Sequence, residues 1–116
     1  MKQDFERFLP LSPAWLHILL SLAGEERHGY GIMQDVARQS DGRYKLGPGT
    51  LYDNLQKLMK ENLVEENEHS SGGADSRRRY YRLTKLGRRV LWAEVMRLES
   101  AIREAKLHLG IPRRAS

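Results

Sequence analysis

Three consecutive arginines, Arg77, Arg78 and Arg79, follow a stretch rich in Ser, Gly and Asp and run into Tyr80, Tyr81 and Arg82. A guanidinium presents five N–H donors in a planar fork and stays charged at any physiological pH, which suits it to phosphate oxygens. Three of them just after Gly72 and Gly73 put concentrated positive charge on an adaptable turn, as a contact to a nucleic-acid backbone or a narrow minor groove requires. A second polar set, Thr50, Asp53, Gln56, Lys57 and Lys60, is interleaved with Leu51, Leu55 and Leu58. At helical spacing the leucines form one narrow stripe, the polar set occupies the outer arc, and Tyr52 lies on its shoulder. Gln56 has the donor–acceptor pair that matches adenine, and the lysines supply charge for phosphates. Asp53 repels phosphate but can accept from a cytosine amino group; alternatively it is a first-turn acid favoured by the helix dipole. The Tyr52 hydroxyl could reach a phosphate, or its ring could close the helix against the arginine-rich segment. Lys45, just before a Gly-Pro-Gly turn, is a further candidate for phosphate contact.

The elements that must hold these residues follow from caps and periodicity. Ser12 as N-cap and Pro13 at the first helical position open a helix to about Leu22, apolar around almost its whole circumference and therefore expected to be buried on most sides. A second helix begins after a break between Gly24 and Arg27, carries Ile32, Met33, Val36 and Ala37 on one side, and ends near Ser40. A brief extended piece over Arg43 to Leu46 precedes a third helix from about Gly49 to Glu61. Two short extended runs, Leu63 to His69 and Arg77 to Leu83, flank the Ser/Gly/Asp cluster as a hairpin with a long tip. Alternation puts Tyr81 and Leu83 on the core face and Arg78, Tyr80 and Arg82 on the other. From Thr84, an N-cap, a last helix runs to about Leu109, with Gly110 and Pro112 as stop signals. Along it Leu91, Val95, Leu98, Ile102, Ala105 and Leu109 step alternately by four and three, a heptad seam that must be buried and is read as a homodimer interface.

The predicted order, three helices, a hairpin and a long helix, is mainly α with a small β-hairpin: a winged helix-turn-helix over residues 1–83, then a C-terminal dimerisation helix and short basic tail over 84–116. In such a fold the third helix enters the major groove and the hairpin tip touches the backbone or minor groove. Glu65, Glu66 and Glu68 on the first strand offer Arg78 and Arg82 a different partner, by cross-strand ion pairing. A net charge of +5 on 116 residues favours a polyanionic partner without identifying it.

Other classes find little support. With 40% hydrophobic and 30% charged residues the composition is that of an ordinary soluble protein, no window nears the roughly 18 apolar residues of a membrane span, and a cytoplasmic location is expected. The absence of cysteine excludes disulfides, thiolate metal sites and cysteine nucleophiles. "LGPGT" lacks the Gly-Lys-Ser/Thr ending of a phosphate-binding loop, so neither an enzyme nor a cofactor is expected. Glu66, Glu68 and His69 could approach a metal, but three polar residues on a hairpin are more simply exposed, and no metal is expected.

The blocks "HGYGI", "GPGTLYDNLQKLMKENLV" and "RRRYYRLTKLG", in this order, resemble the PadR family of bacterial transcriptional regulators over about Leu11 to Leu109. The resemblance implies a homodimeric winged-helix repressor that binds a palindromic operator in double-stranded DNA, dimerises through its last helix, and is often released by a small, frequently aromatic, effector. Many members carry proline after "GTLY", where this chain has Asp53. Some stack an aromatic ligand on a tryptophan of the last helix, which makes Trp92 a candidate effector contact; filler of a core or interface is the other reading. The same elements would also serve a sequence-independent nucleic-acid binder or a dimeric protein-interaction module.

Overall fold

A computed structural model describes residues 4–70 and 77–110, with side chains described for 5–67 and 79–110. A short 3-10 helix, Asp4–Phe8, precedes α1, Pro13–Ala23. Ser12 caps α1 by accepting from the Trp15 N–H at 3.2 Å, and Pro13 occupies the first turn. Ile18, Leu19 and Leu22 are buried, while Leu20 is left exposed, so α1 is central but keeps one open edge.

The chain then forms β1, Arg27–His28, and α2, Gly29–Gln39. His28 caps α2 with Nδ1, which accepts from Gly31 N–H at 3.1 Å. Asp41 and Gly42 both take positive φ and turn the chain back. Residues 43–46, expected to be extended, form no strand; Ser40 Oγ instead accepts from the Tyr44 N–H at 2.8 Å, and the Tyr44 ring stacks on His17 at 4.7 Å. With that ring held inward and no neighbouring strand, the segment is a connector.

Helix α3 spans Pro48–Lys60. It ends in a Schellman motif: Asn62 has φ 63°, its N–H donates to Met59 O, and Leu63 N–H donates to Leu58 O. Asparagine tolerates this left-handed position better than most residues. Strands β2, Val64–Ser70, and β3, Arg77–Leu83, pair antiparallel, with Val64 opposite Leu83 and Glu65 opposite Arg82. The sheet has three strands, not the two of a lone hairpin, because β1 adds to the free edge of β3 in the order β1-β3-β2. Two residues are too few for any alternation to reveal, and the pairing depends on where α1 delivers the chain.

Helix α4, Lys85–Leu109, is capped by Thr84, whose Oγ1 accepts from Gly87 N–H at 2.9 Å and donates to Asn62 O at 2.6 Å. Gly110, with φ 68°, ends it. The first ten residues of α4 belong to the common core: Gly87, Val90, Leu91 and Glu94 are buried against α1, β3 and the N-terminal turn. Gly87 lets α4 cross the Leu63 carbonyl at a distance no side chain would permit. Each fully buried Leu, Ile or Val of this core contributes about 1.5–3 kcal/mol.

Glu94 is a buried carboxylate that the sequence pattern does not reveal, 1% exposed. It accepts the Leu11 N–H at 2.8 Å and binds the Arg97 guanidinium, tying the N-terminal segment to α4. The Arg97 hydrogen bonds hold its pKa below the ordinary 4.5, with the Leu11 N–H adding to them and burial working against them. A depressed folded pKa stabilises above the unfolded value and loses that stability as pH falls through the folded one. Glu94→Gln is therefore expected to cost about 2 kcal/mol at pH 7, the scale of hydrogen bonds to a charged group. Its thermal midpoint should also fall less than that of the unmodified protein on acidification below about pH 4.5. Parallel acid profiles in calorimetry would show that Glu94 does not carry this linkage.

Candidate nucleic-acid interface

On α3 the leucine stripe is buried, Leu51, Leu55 and Leu58 being at most 1% exposed. Thr50, Tyr52, Asp53, Gln56, Lys57 and Lys60 are all exposed on the other side, as is Lys45 in the connector. The structure thus brings the polar set together on one open arc. Asp53 does not lie in the first turn: α3 starts at Pro48, so the dipole explanation of this acid fails. Its carboxylate instead pairs with Lys57 one turn on, at 3.2 Å, and both groups are more than 60% exposed. An exposed pair of this kind contributes a few tenths of a kcal/mol and leaves either group free to exchange partners.

Asn54 anchors the arc from below. Its Oδ1 accepts from Trp15 Nε1 at 3.1 Å and its Nδ2 donates to Thr50 O at 2.8 Å. Trp15 is thus a half-buried link between α1 and α3, with its one polar atom satisfied. Behind α3, α2 is braced by the buried Asp35, which binds Arg38 at 2.9 Å, Gln39 at 3.1 Å and Arg27 at 3.6 Å. Burial would raise the Asp35 pKa, but the hydrogen bonds from Arg38 and Gln39 and the charges of Arg27 and Arg38 outweigh it and hold it low.

The strands beside α3 divide the arginines. Arg82 stands directly opposite Glu65 and binds it at 2.8 Å, so the facing glutamate claims it. Arg79 reaches diagonally to Glu66 at 3.7 Å and remains 68% exposed. The backbones of Arg77 and Arg78 continue β3 opposite Ser70 and His69, while their side chains, like those of Glu68 and His69, lie outside the described residues. Tyr81 and Leu83 are buried, anchoring the strand as the alternation requires. Tyr52 leans over the start of α2, where its hydroxyl occupies the space that a side chain at residue 29 would take. That close approach explains the glycine of "HGYGI". Among the described residues no group of acids and histidines is placed to hold a metal.

On α4 the apolar stripe splits. Leu91 is buried inside the protomer, and Val95 packs partly against the same core. Leu98 is half-buried, whereas Ile102, Ala105 and Leu109 are exposed. Leu91 is thus a core residue of its own chain, because the first half of α4 is covered by α1 and β3. Trp92 is 66% exposed and Met96, one turn further, 48%, so Trp92 fills no space in the protomer's core.

Helices α2 and α3 joined by a turn, then a two-stranded wing on a small sheet, define a winged helix of the kind that DNA-binding regulators use. The model of the transcriptional regulator PadR-like family matches residues 18–93, and the chain belongs to that family. The transcriptional regulator Rv3488 of Mycobacterium tuberculosis is 36% identical over 89 residues, 77% of this chain and 78% of that protein. A PadR family transcription regulator from Clostridium difficile shares the fold with a TM-score of 0.72 at 21% identity, covering 84% of this chain and 99% of its own. Bacillus subtilis PadR, solved in complex with operator DNA, has a TM-score of 0.65 at 22% identity over 74% of this chain and 48% of that one. Among the described residues no helix is long and apolar enough to cross a membrane.

Proposed function

We propose that the protein is a homodimeric, sequence-specific transcriptional repressor that binds a palindromic operator and is released by a small, aromatic effector. The observation that carries this reading is the open arc of α3, with Gln56, Lys57 and Lys60 exposed beside a wing whose Arg79 is also exposed. In this reading α3 lies in the major groove, Gln56 reads a base edge, and Thr50, Tyr52, Lys45, Lys57, Lys60 and the wing arginines hold the phosphates. The operator-bound state of the B. subtilis relative supports the same use of the shared fold. Selection of bound sequences from a random duplex pool at physiological salt tests it. A twofold-symmetric site with half-sites about one helical turn apart is the expected product. Unenriched sequences would leave only salt-dependent electrostatic binding and remove the specific role.

Dimerisation rests on α4. Residues 99–109 are exposed throughout and extend about 16 Å with Ile102, Leu107 and Leu109 uncovered. Three helical turns without tertiary contacts are marginal in water, and a second copy of the same stripe would bury them. Replacing Ile102 and Leu109 by lysine is expected to convert dimers to folded monomers in analytical sedimentation, because neither side chain supports the protomer's own core. Persisting dimers would place the interface elsewhere. Trp92 and Met96 offer an apolar face on the same helix for the effector.

A further inference from the structure

A cleft of about 480 Å³ lies where the start of α2, the side of α3 and the base of the wing meet, lined by His28, Gly29, Tyr30, Tyr52, Arg79 and Tyr81. The notable group is Tyr81. The residue is 4% exposed and its hydroxyl makes no hydrogen bond among the described residues; since no buried side-chain nitrogen or oxygen there lacks a partner, the hydroxyl is the part of Tyr81 that stays accessible. The cleft is the space into which this phenol opens. Burial, with Glu66 and Tyr52 nearby, raises its pKa above 10.0 against the pull of Arg79, so it remains a donor at physiological pH. Tyr52 brings a second phenol from α3, held against Gly29. The N–H groups of Gly29 and Tyr30 are at the first positions of α2 and have no partner within the helix; the cap from His28 serves Gly31. Arg79 supplies the cation, shared with Glu66 at 3.7 Å. Two phenols and a guanidinium thus line one cleft at the start of α2, a donor set suited to an oxyanion.

We propose that this cleft holds one backbone phosphate of the bound duplex, with the Tyr81 and Tyr52 hydroxyls as hydrogen-bond donors. The inference rests on the DNA-binding reading above and adds to it a phosphate contact made by a residue that otherwise belongs to the wing's core. The occupant is a phosphodiester because Tyr52 projects from the side of α3, the helix assigned to the groove, and Arg79 from the wing that flanks it. A phosphate held there would fix α2, α3 and the wing at a single point. Replacing a tyrosine by phenylalanine takes away a hydroxyl and its hydrogen bonds without changing the number of cationic contacts that sets the salt dependence.

The test uses the full chain with Tyr81→Phe and Tyr52→Phe, singly and together, titrated against duplex DNA at several salt concentrations. Each substitution is expected to weaken binding to every duplex by roughly tenfold, the scale of a hydrogen bond to a charged group, with an unchanged salt slope and an unchanged thermal midpoint. A duplex with one phosphate per half-site replaced by neutral methylphosphonate should cost the wild type affinity at one position and cost the Tyr81→Phe protein nothing further there. Wild-type affinity in Tyr81→Phe, or full additivity at every methylphosphonate position, overturns the phosphate assignment while leaving DNA binding in place. If the unmodified protein fails to bind any duplex, the reading beneath it fails instead. Calorimetric titration with inorganic phosphate alone should give no saturable heat; saturable binding abolished by Tyr81→Phe would assign the cleft to a free phosphorylated ligand and overturn the backbone assignment.

Discussion

Replacing Arg77, Arg78 and Arg79 together with alanine is expected to weaken binding to specific and non-specific duplexes alike and to flatten the salt dependence. Each phosphate neutralised by a cation contributes about −0.9 to the slope of log affinity against log salt, so three contacts account for nearly three units. Between 50 and 200 mM salt that difference amounts to roughly 40-fold in affinity. Arg79 already shares its charge with Glu66, but at 3.7 Å on an exposed surface that pair is weak enough for a phosphate to displace. Arg82 is different: directly opposite Glu65 and bound to it at 2.8 Å, it serves the hairpin, and Arg82→Ala should leave the slope nearly unchanged. Fluorescence anisotropy titrations across a salt series measure both variants. An unaltered slope in the triple variant would remove the wing from the interface.

Gly87→Ala is expected to be the most damaging small substitution in the chain. A methyl group at that position would overlap the carbonyl oxygen of Leu63 and crowd its carbonyl carbon at 3.0 Å. Backbone cannot rotate away as a side-chain tip can, and the same Leu63 carbonyl accepts the Thr84 N–H at 3.1 Å, which pins it. Either α4 shifts off the sheet or the hairpin entry distorts, at a cost of about 3 kcal/mol or more. For a domain of this size that lowers the thermal midpoint by roughly 10–20 °C. Gly24→Ala is the matched control: nothing lies within 4 Å and its φ of −91° suits alanine, so it should stabilise by about 0.4–1 kcal/mol. Equal midpoints for the two variants in a thermal melt would contradict the packing of α4 on the β2 entry.

The contrast between these glycines shows what a single chain discloses. Local signals mark the elements well: Ser12 and Pro13 begin α1, Thr84 begins α4, and the runs Leu63 to His69 and Arg77 to Leu83 lie within a residue of β2 and β3. The leucine periodicity of α3 likewise foretells which arc is open, because burial of Leu51, Leu55 and Leu58 leaves the others no choice. What depends on the meeting of distant segments is not visible there. Strand β1 exists because β3 has a free edge, Gly29 and Gly87 because Tyr52 and Leu63 come close, and the burial of Glu94 because Leu11, 83 residues earlier, donates to it. The α4 stripe is a mixed case: one heptad pattern serves the protomer core at Leu91 and is uncovered from Ile102 onward, and periodicity cannot tell the two uses apart. Tyr81 reads as a core anchor on alternation alone; only the cleft beside it shows that this buried residue also reaches an accessible space.

The central claim is that α3 reads sequence while the wing supplies charge. It is tested most directly by the ratio of affinities at physiological salt for the selected symmetric duplex and for a scrambled duplex of the same length and composition. A ratio of about a thousand or more is predicted, the range of specific regulators. A ratio near one would contradict the account and leave a basic protein that holds nucleic acid by charge alone.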